Sequence, residues 1–202
     1  MAEITGSRKE QIIDAAAKLF KDKGYSASSM RDLAQVMGME ASSLYSHIKS
    51  KEEILESICF GMADKFLTAI KEVNDIYFNA EEKLRMAIRN HVQIITSHPD
   101  HSAMFIKEWR GLTEPKLSKF KELRDKYEHE FRVILQDGEN EDVFDHVDKK
   151  FATLTILSAV NWINEWYHAD GAMNADEIAK KLSDFIIGGL RKKFVTDPNY
   201  KP

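Results

Sequence analysis

The sequence predicts an all-α protein: an N-terminal three-helix helix-turn-helix domain followed by a larger helical C-terminal domain. Three observations predict this. The prolines, at 99, 115, 198 and 202, interrupt no apolar-periodic segment, so long stretches are open to helix. Apolar residues recur at helical spacing: Ile12, Ala16, Leu19 and Phe20 on one face, Met30, Leu33, Ala34 and Met37 on another. No alternating run of Val, Ile or Thr bounded by turn residues asks to be a strand.

The elements follow in order. Helices are expected at 8–23, 29–36, 41–48, 51–77, 81–97, 101–110, 116–136, 147–168 and 175–194. Ser7 with Glu10, Ser50 with Glu53 and Asn174 with Glu177 have capping-box spacing, and Ser29 with Asp32 is its shorter-armed variant. Gly24, Gly38, Gly111, Gly138 and Gly171 each follow a periodic run, where a helix would stop. The acidic stretch 137–148 lacks the Asp/Asn–Gly order of a calcium loop and reads as a solvated loop. The domain boundary is expected at 52/53, giving 1–52 and 53–202.

Composition narrows the function. At 202 residues, 43% hydrophobic and 31% charged, the chain reads as globular. Its opening MAEITGSRKE has no apolar core, and no segment approaches a membrane span; a cytoplasmic protein with no membrane partner is expected. A single cysteine, Cys59, makes neither an internal disulfide nor a thiolate zinc site. The net charge of −4 gives no global pull on nucleic acid, so any DNA contact has to be local.

The segment RDLAQVMGMEASSLYSHIKS, 31–50, supplies a local candidate. Gly38 marks a corner, Ala34 leaves room for the next helix to pass close, and Leu44 pins that helix down, as a helix-turn-helix requires. Ala41, Ser42, Ser43 and His47 then face outward, with small groups suited to base edges. Tyr45, His47, Lys49 and Lys51 are candidate phosphate donors, and Ser28, Ser29 and Arg31 can hold the other side of the groove. Residues 1–55 carry eight Lys/Arg and eight Asp/Glu, yet 28–51 sets Arg31, Lys49 and Lys51 against only Asp32 and Glu40. An ordinary polar surface would look much the same.

The segment SRKEQIIDAAAKLFKDKGYSASSMRDLAQVMGMEASSLYSHIKSKEEIL resembles the DNA-binding domain of TetR-type transcriptional regulators. The match rests on Ile13, Ala16, Leu19 and Phe20, on Gly24-Tyr25, on Ala34 with Gly38, on Leu44-Tyr45 and on Lys51-Glu52. Ile48 departs from the aromatic residue usual there, and Glu40 is an unusual charge at the entry to the recognition helix. The remainder is similar to the acyl-CoA-responsive regulators of lipid catabolism within that family. Glu108, Arg110, Arg124-Asp125, Tyr127, Asn161-Trp162, Trp166-Tyr167, Gly171 and Gly188-Gly189 carry that likeness. The resemblance implies a repressor that binds double-stranded DNA at a palindrome as a homodimer and is released by a small hydrophobic effector, an acyl-CoA; it implies no cofactor and no enzyme activity.

For the effector, Phe105, Trp109, Tyr127 and Phe131 are candidate apolar walls, with Asn90, Gln93 or Asn161 orienting the head group. Arg85, Arg89, Arg110 or Arg124 can meet phosphate. For the dimer, 147–168 is apolar around much of its circumference, and Gly188 and Gly189, costly in mid-helix, suit the close approach of another helix. The alternative for these glycines is close packing within one subunit.

Two other classes compete. A helical protein-interaction module would use the apolar helix but leaves 28–51 without a purpose. A metal-binding helical-bundle enzyme has one Glu-x-x-His, Glu165 to His168, where a di-iron site needs a second. His91, His98 and His101 lack the i, i+4 spacing of a helical zinc pair and are read as scattered solvated histidines. Cys59 has no neighbouring base and is no nucleophile candidate.

Overall fold

The computed structural model describes residues 7–192. Among these it has nine α-helices: α1 Arg8–Lys23, α2 Met30–Val36, α3 Ala41–Tyr45, α4 Lys51–Asp75, α5 Ala80–Ser97, α6 Pro99–Lys107, α7 Lys116–Asn140, α8 Lys149–Trp166 and α9 Ala175–Leu190, with a 3-10 turn at Trp109–Gly111. The expected end of the last helix at 194 lies outside the described residues. The chain divides into two compact units, one of 7–66 with 97–124, the other of 67–96 with 125–192. Helices α4 and α7 contribute residues to both.

In the first unit, α1, α2 and α3 close over Ile12, Ala16, Phe20, Leu33, Leu44 and Ile48, all essentially inaccessible to solvent. Ile54, Ile58 and Phe66 of α4 and Ala103 and Met104 of α6 extend this core. Helix starts are fixed by side chains that accept from otherwise unsatisfied backbone N–H groups. Reciprocal capping boxes form at Ser7/Glu10 and at Ser29/Asp32. At Ser50 the box is only half made: its hydroxyl accepts from Glu53 N, while the Glu53 carboxylate takes the Lys49 N–H at 2.8 Å instead.

The second unit packs Leu84, Ile88, Phe131, Ile134, Val160, Ile163 and Ile187 into one core. Asn174 and Glu177 form a full box at the start of α9. The acidic stretch departs from expectation. Helix α7 continues to Asn140, Phe144 is buried, and its backbone bridges Arg191. Gly138 is therefore no helix stop. It lies inside α7, and a Cβ there would stand 2.0 Å from the Phe144 ring; the missing side chain is the space the ring fills. Burial of one aromatic residue thus pulls half of an acidic segment onto the core.

Candidate nucleic-acid interface and effector site

The turn between α2 and α3 is built by backbone hydrogen bonds. Gly38 has φ 61°, the left-handed conformation that costs glycine least. Its N–H donates to Gln35 O at 3.1 Å, and Met39 N–H donates to Ala34 O at 3.0 Å. These are the two bonds of a Schellman stop. Ala34 is buried at the corner, while Leu44 and Ile48 turn inward. Ser42, Ser43, Tyr45, His47 and Lys49 stand exposed and Ala41 half-exposed, so α3 and the turn after it offer one outward face. The helix ends at Tyr45, shorter than expected, and 46–47 form a turn in which Ser46 donates to Ser43 O.

Three residues expected at the groove have other work in the structure. Ser28 is buried and its hydroxyl donates to Gly24 O at 2.7 Å, closing the loop after α1. The Ser29 hydroxyl is engaged with Asp32 at the start of α2. Lys51 is drawn inward: its ammonium donates to the carbonyls of Tyr25 and of Ser28, and lies 4.1 Å from the Tyr25 ring centroid. Burial holds the Lys51 pKa below its ordinary value, and pushes the Tyr25 phenol up to about 12. In sequence Lys51 looks like a surface cation; only the fold shows it closing the loop between α1 and α2. The Arg31 guanidinium and the Lys49 ammonium remain exposed and make no ion pair among the described residues. Of the other head cations, Lys9 and Lys23 are paired with Glu53 and Asp32, and Lys21 with Asp100.

The expected effector residues fall in both units. In the first, Phe105 packs against Phe66 and Phe120, and Trp109 against Phe120. The Arg110 and Arg124 guanidiniums lie 4.4 and 4.7 Å from the Trp109 ring centroid. In the second, Phe131 is wholly buried core and Gln93 donates to Asp176, while Asn90 is half-exposed. Arg85 and Arg89 are held in ion pairs with Glu81, Asp184 and Asp176.

His91 corrects the reading of a solvated histidine. It is buried, its Nδ1 lies 2.8 Å from the Tyr127 hydroxyl and its Nε2 3.1 Å from Asn161 Oδ1. The hydroxyl donates to Nδ1, and Nε2–H donates to the amide oxygen, which fixes one neutral tautomer. Burial lowers the His91 pKa to about 4 and raises that of Tyr127. His101 is also less solvated than expected, half-buried with Nε2 3.3 Å from Asp14. No pattern in the sequence marks the His91 triad, because its members lie on three different helices. Burial drives the Cys59 thiol up to about 12, far from nucleophilic. Among the described residues no group of His, Cys, Asp or Glu is gathered to hold a metal, and no helix is long and apolar enough to cross a membrane.

Fold and head together define a helix-turn-helix regulator. Residues 12–58 match the family model of bacterial regulatory proteins of the tetR family, and 78–190 match the Tetracyclin repressor-like C-terminal domain. The chain belongs to the TetR family of transcriptional regulators. It is 24% identical over 191 residues to the HTH-type transcriptional repressor KstR2 of Mycobacterium tuberculosis, covering 94% of this chain and 96% of that one. The crystal structure of PfmR from Thermus thermophilus is 34% identical with a TM-score of 0.82, over 90% of this chain and 100% of PfmR. The structure of AibR in complex with isovaleryl coenzyme A and operator DNA is 26% identical with a TM-score of 0.78, over 93% of this chain and 100% of AibR.

Proposed function

We propose that the protein is a repressor that binds a palindromic operator as a homodimer and is released by an acyl-CoA. The observation that carries the reading is the outward face of α3 behind the Schellman turn, with Ala41, Ser42, Ser43, Tyr45 and His47 presented to the major groove. Arg31 and Lys49 supply phosphate contacts; Ser28, Ser29 and Lys51 shape the head. On this reading 1–52 is the DNA-reading module, 53–202 serves effector and partner, and the protein works in the cytoplasm where its operator lies. The acyl-CoA rests on the likeness to AibR, which binds isovaleryl coenzyme A and operator DNA.

The dimer is supported by α8 and α9. Phe151, Trp162 and Phe185 are 72%, 66% and 82% exposed, an apolar face too large to leave in water without purpose. Among the described residues, nothing beyond the helix's own backbone comes within 4 Å of a Cβ placed on Gly188 or Gly189. Packing among the described residues makes no use of these glycines, which supports the close approach of a second copy's helix. A groove of about 640 Å³ beside them is lined by Phe151, Ile156 and Phe185. Two heads in such a dimer meet a two-fold site. Effector binding favours a head separation that no longer fits it, with α4 as the lever, and shifts the population by about 1–3 kcal/mol of coupling.

Selection of bound fragments from randomised duplex DNA, followed by titration of the enriched fragment with acyl-CoAs of graded chain length, tests both halves. A palindrome released by one chain length supports the whole reading. A palindrome indifferent to all of them keeps the DNA half and removes the effector. No enrichment at low salt removes the operator and moves a helical protein-interaction module to first place.

A further inference from the structure

Trp109, Phe120 and Phe60 form a row in the first unit, with successive ring centroids 5.9 Å apart. Four cations lie over its two ends. Arg110 and Arg124 lie over Trp109, and the Lys116 and Lys119 ammoniums are 5.8 and 6.0 Å from the Phe60 centroid. Lys116 is paired with Glu56. Arg110 and Lys119 are exposed and have no carboxylate partner among the described residues. The stretch 107–124 holds six Lys/Arg against three Asp/Glu, in a chain whose net charge is −4. Positive charge is thus concentrated on one aromatic platform of an otherwise acidic molecule. The indole restricts the guanidinium that lies over it, and the exposed Arg110 keeps donors for a phosphate.

We propose that the cations over the Phe60–Phe120–Trp109 row bind the phosphate-bearing nucleotide head of a coenzyme A thioester. The proposal rests on the acyl-CoA reading above and deepens it by assigning the head group to this surface. Arg110 and Lys119 take the phosphates, and Arg124, half-buried beside Trp109, holds the indole in place. The surface also has a route to the DNA-reading helices. Gly111 follows Arg110 directly, and a Cβ on it would sit 3.2 Å from both the Tyr25 ring and Leu55. Tyr25 in turn lies under Lys51, which closes the loop between α1 and α2. A shift at Arg110 on ligand binding therefore reaches the head through one packed ring.

The test is calorimetric titration of the full-length protein with free coenzyme A and with pantetheine, which lacks the nucleotide, run beside operator release by the acyl-CoA panel. Wild type binds coenzyme A and not pantetheine. Arg110→Gln with Lys119→Gln weakens coenzyme A by about tenfold or more and raises the releasing acyl-CoA concentration in parallel. Lys119→Gln alone, with unfolding temperature as the folding control, gives a smaller shift in the same direction. Equal release of wild type and double variant by the same acyl-CoA overturns the assignment while leaving the effector reading intact. Failure of every acyl-CoA to bind or release wild type overturns both. Loss of operator affinity by the ligand-free double variant, with a shallower salt dependence, assigns these cations to DNA phosphates and overturns the proposal.

Discussion

The DNA-reading helices and the α8–α9 half of the second unit put their polar and apolar groups in opposite places. In the head, apolar residues face in, the hydroxyls of Ser42 and Ser43 face out, and Lys9 and Lys23 pair with carboxylates along the surface. In the second unit a histidine, a tyrosine and an asparagine bond to one another in the interior, while Phe151, Trp162 and Phe185 stand outside. An ordinary soluble surface is what a head needs to meet DNA. An inverted one is stable only where the exposed face is covered and the buried groups are satisfied.

Breaking the cover is expected to have the largest effect. Phe151→Asp with Phe185→Asp leaves the core untouched, since both side chains are exposed. Sedimentation should show a monomer, and operator affinity should fall by about 100-fold or more as two linked heads become independent. A monomeric wild type would remove the dimer from the proposed function.

The buried triad gives the next effect, as a dependence on pH. His91 has a folded pKa of about 4 against an ordinary 6.5, so between these values the unfolded chain binds the proton and the folded one does not. Stability is complete above about 6.5, falls as the pH is lowered towards 4 and levels off below; the span corresponds to on the order of 3 kcal/mol. Chemical denaturation across this window should show the loss in wild type, and His91→Gln should remove its share. An unchanged slope in the variant would mean that the ring is hydrated.

The head was far more legible in the sequence than the second unit, for a physical reason. Its turn depends on local bonds: Ala34, Gly38 and Leu44 lie within eleven residues, and each capping box joins positions three apart. The triad joins residues 36 and 70 positions apart, and no local pattern encodes such a pairing. Lys51 shows the limit even within the head, because its partners at Tyr25 and Ser28 are more than twenty residues away. Among the effector candidates, sequence spacing did not separate Phe131, which is core, from Trp109, which carries two guanidiniums.

Glycines sharpen the comparison further. Helix propensity alone makes Gly→Ala stabilising by about 1 kcal/mol. At Gly138 the Phe144 ring occupies the space, so Gly138→Ala should instead destabilise by about 1–3 kcal/mol, read as a lowered unfolding temperature. At Gly188 and Gly189 no atom of the described residues outside the helix's own backbone is near. There alanine should stabilise the monomeric Phe151/Phe185 variant, and weaken association of wild type if the two helices meet at this point. Stabilisation at Gly138 would show that the ring moves aside freely.

The smallest expected effect separates two lysines two positions apart. The Lys49 ammonium is exposed and makes no ion pair among the described residues, so Lys49→Gln should leave the unfolding temperature unchanged. It should also lower the slope of log affinity against log salt by about 0.9, the contribution of one phosphate contact. Lys51 bonds two carbonyls and covers an aromatic ring. Its replacement by Gln should lower the unfolding temperature, because two part-buried carbonyls lose a charged donor. DNA affinity should then fall at every salt concentration with the slope preserved. The opposite pattern, an unchanged fold and a reduced slope for Lys51→Gln, would return that ammonium to the DNA surface and open the loop it is seen to close.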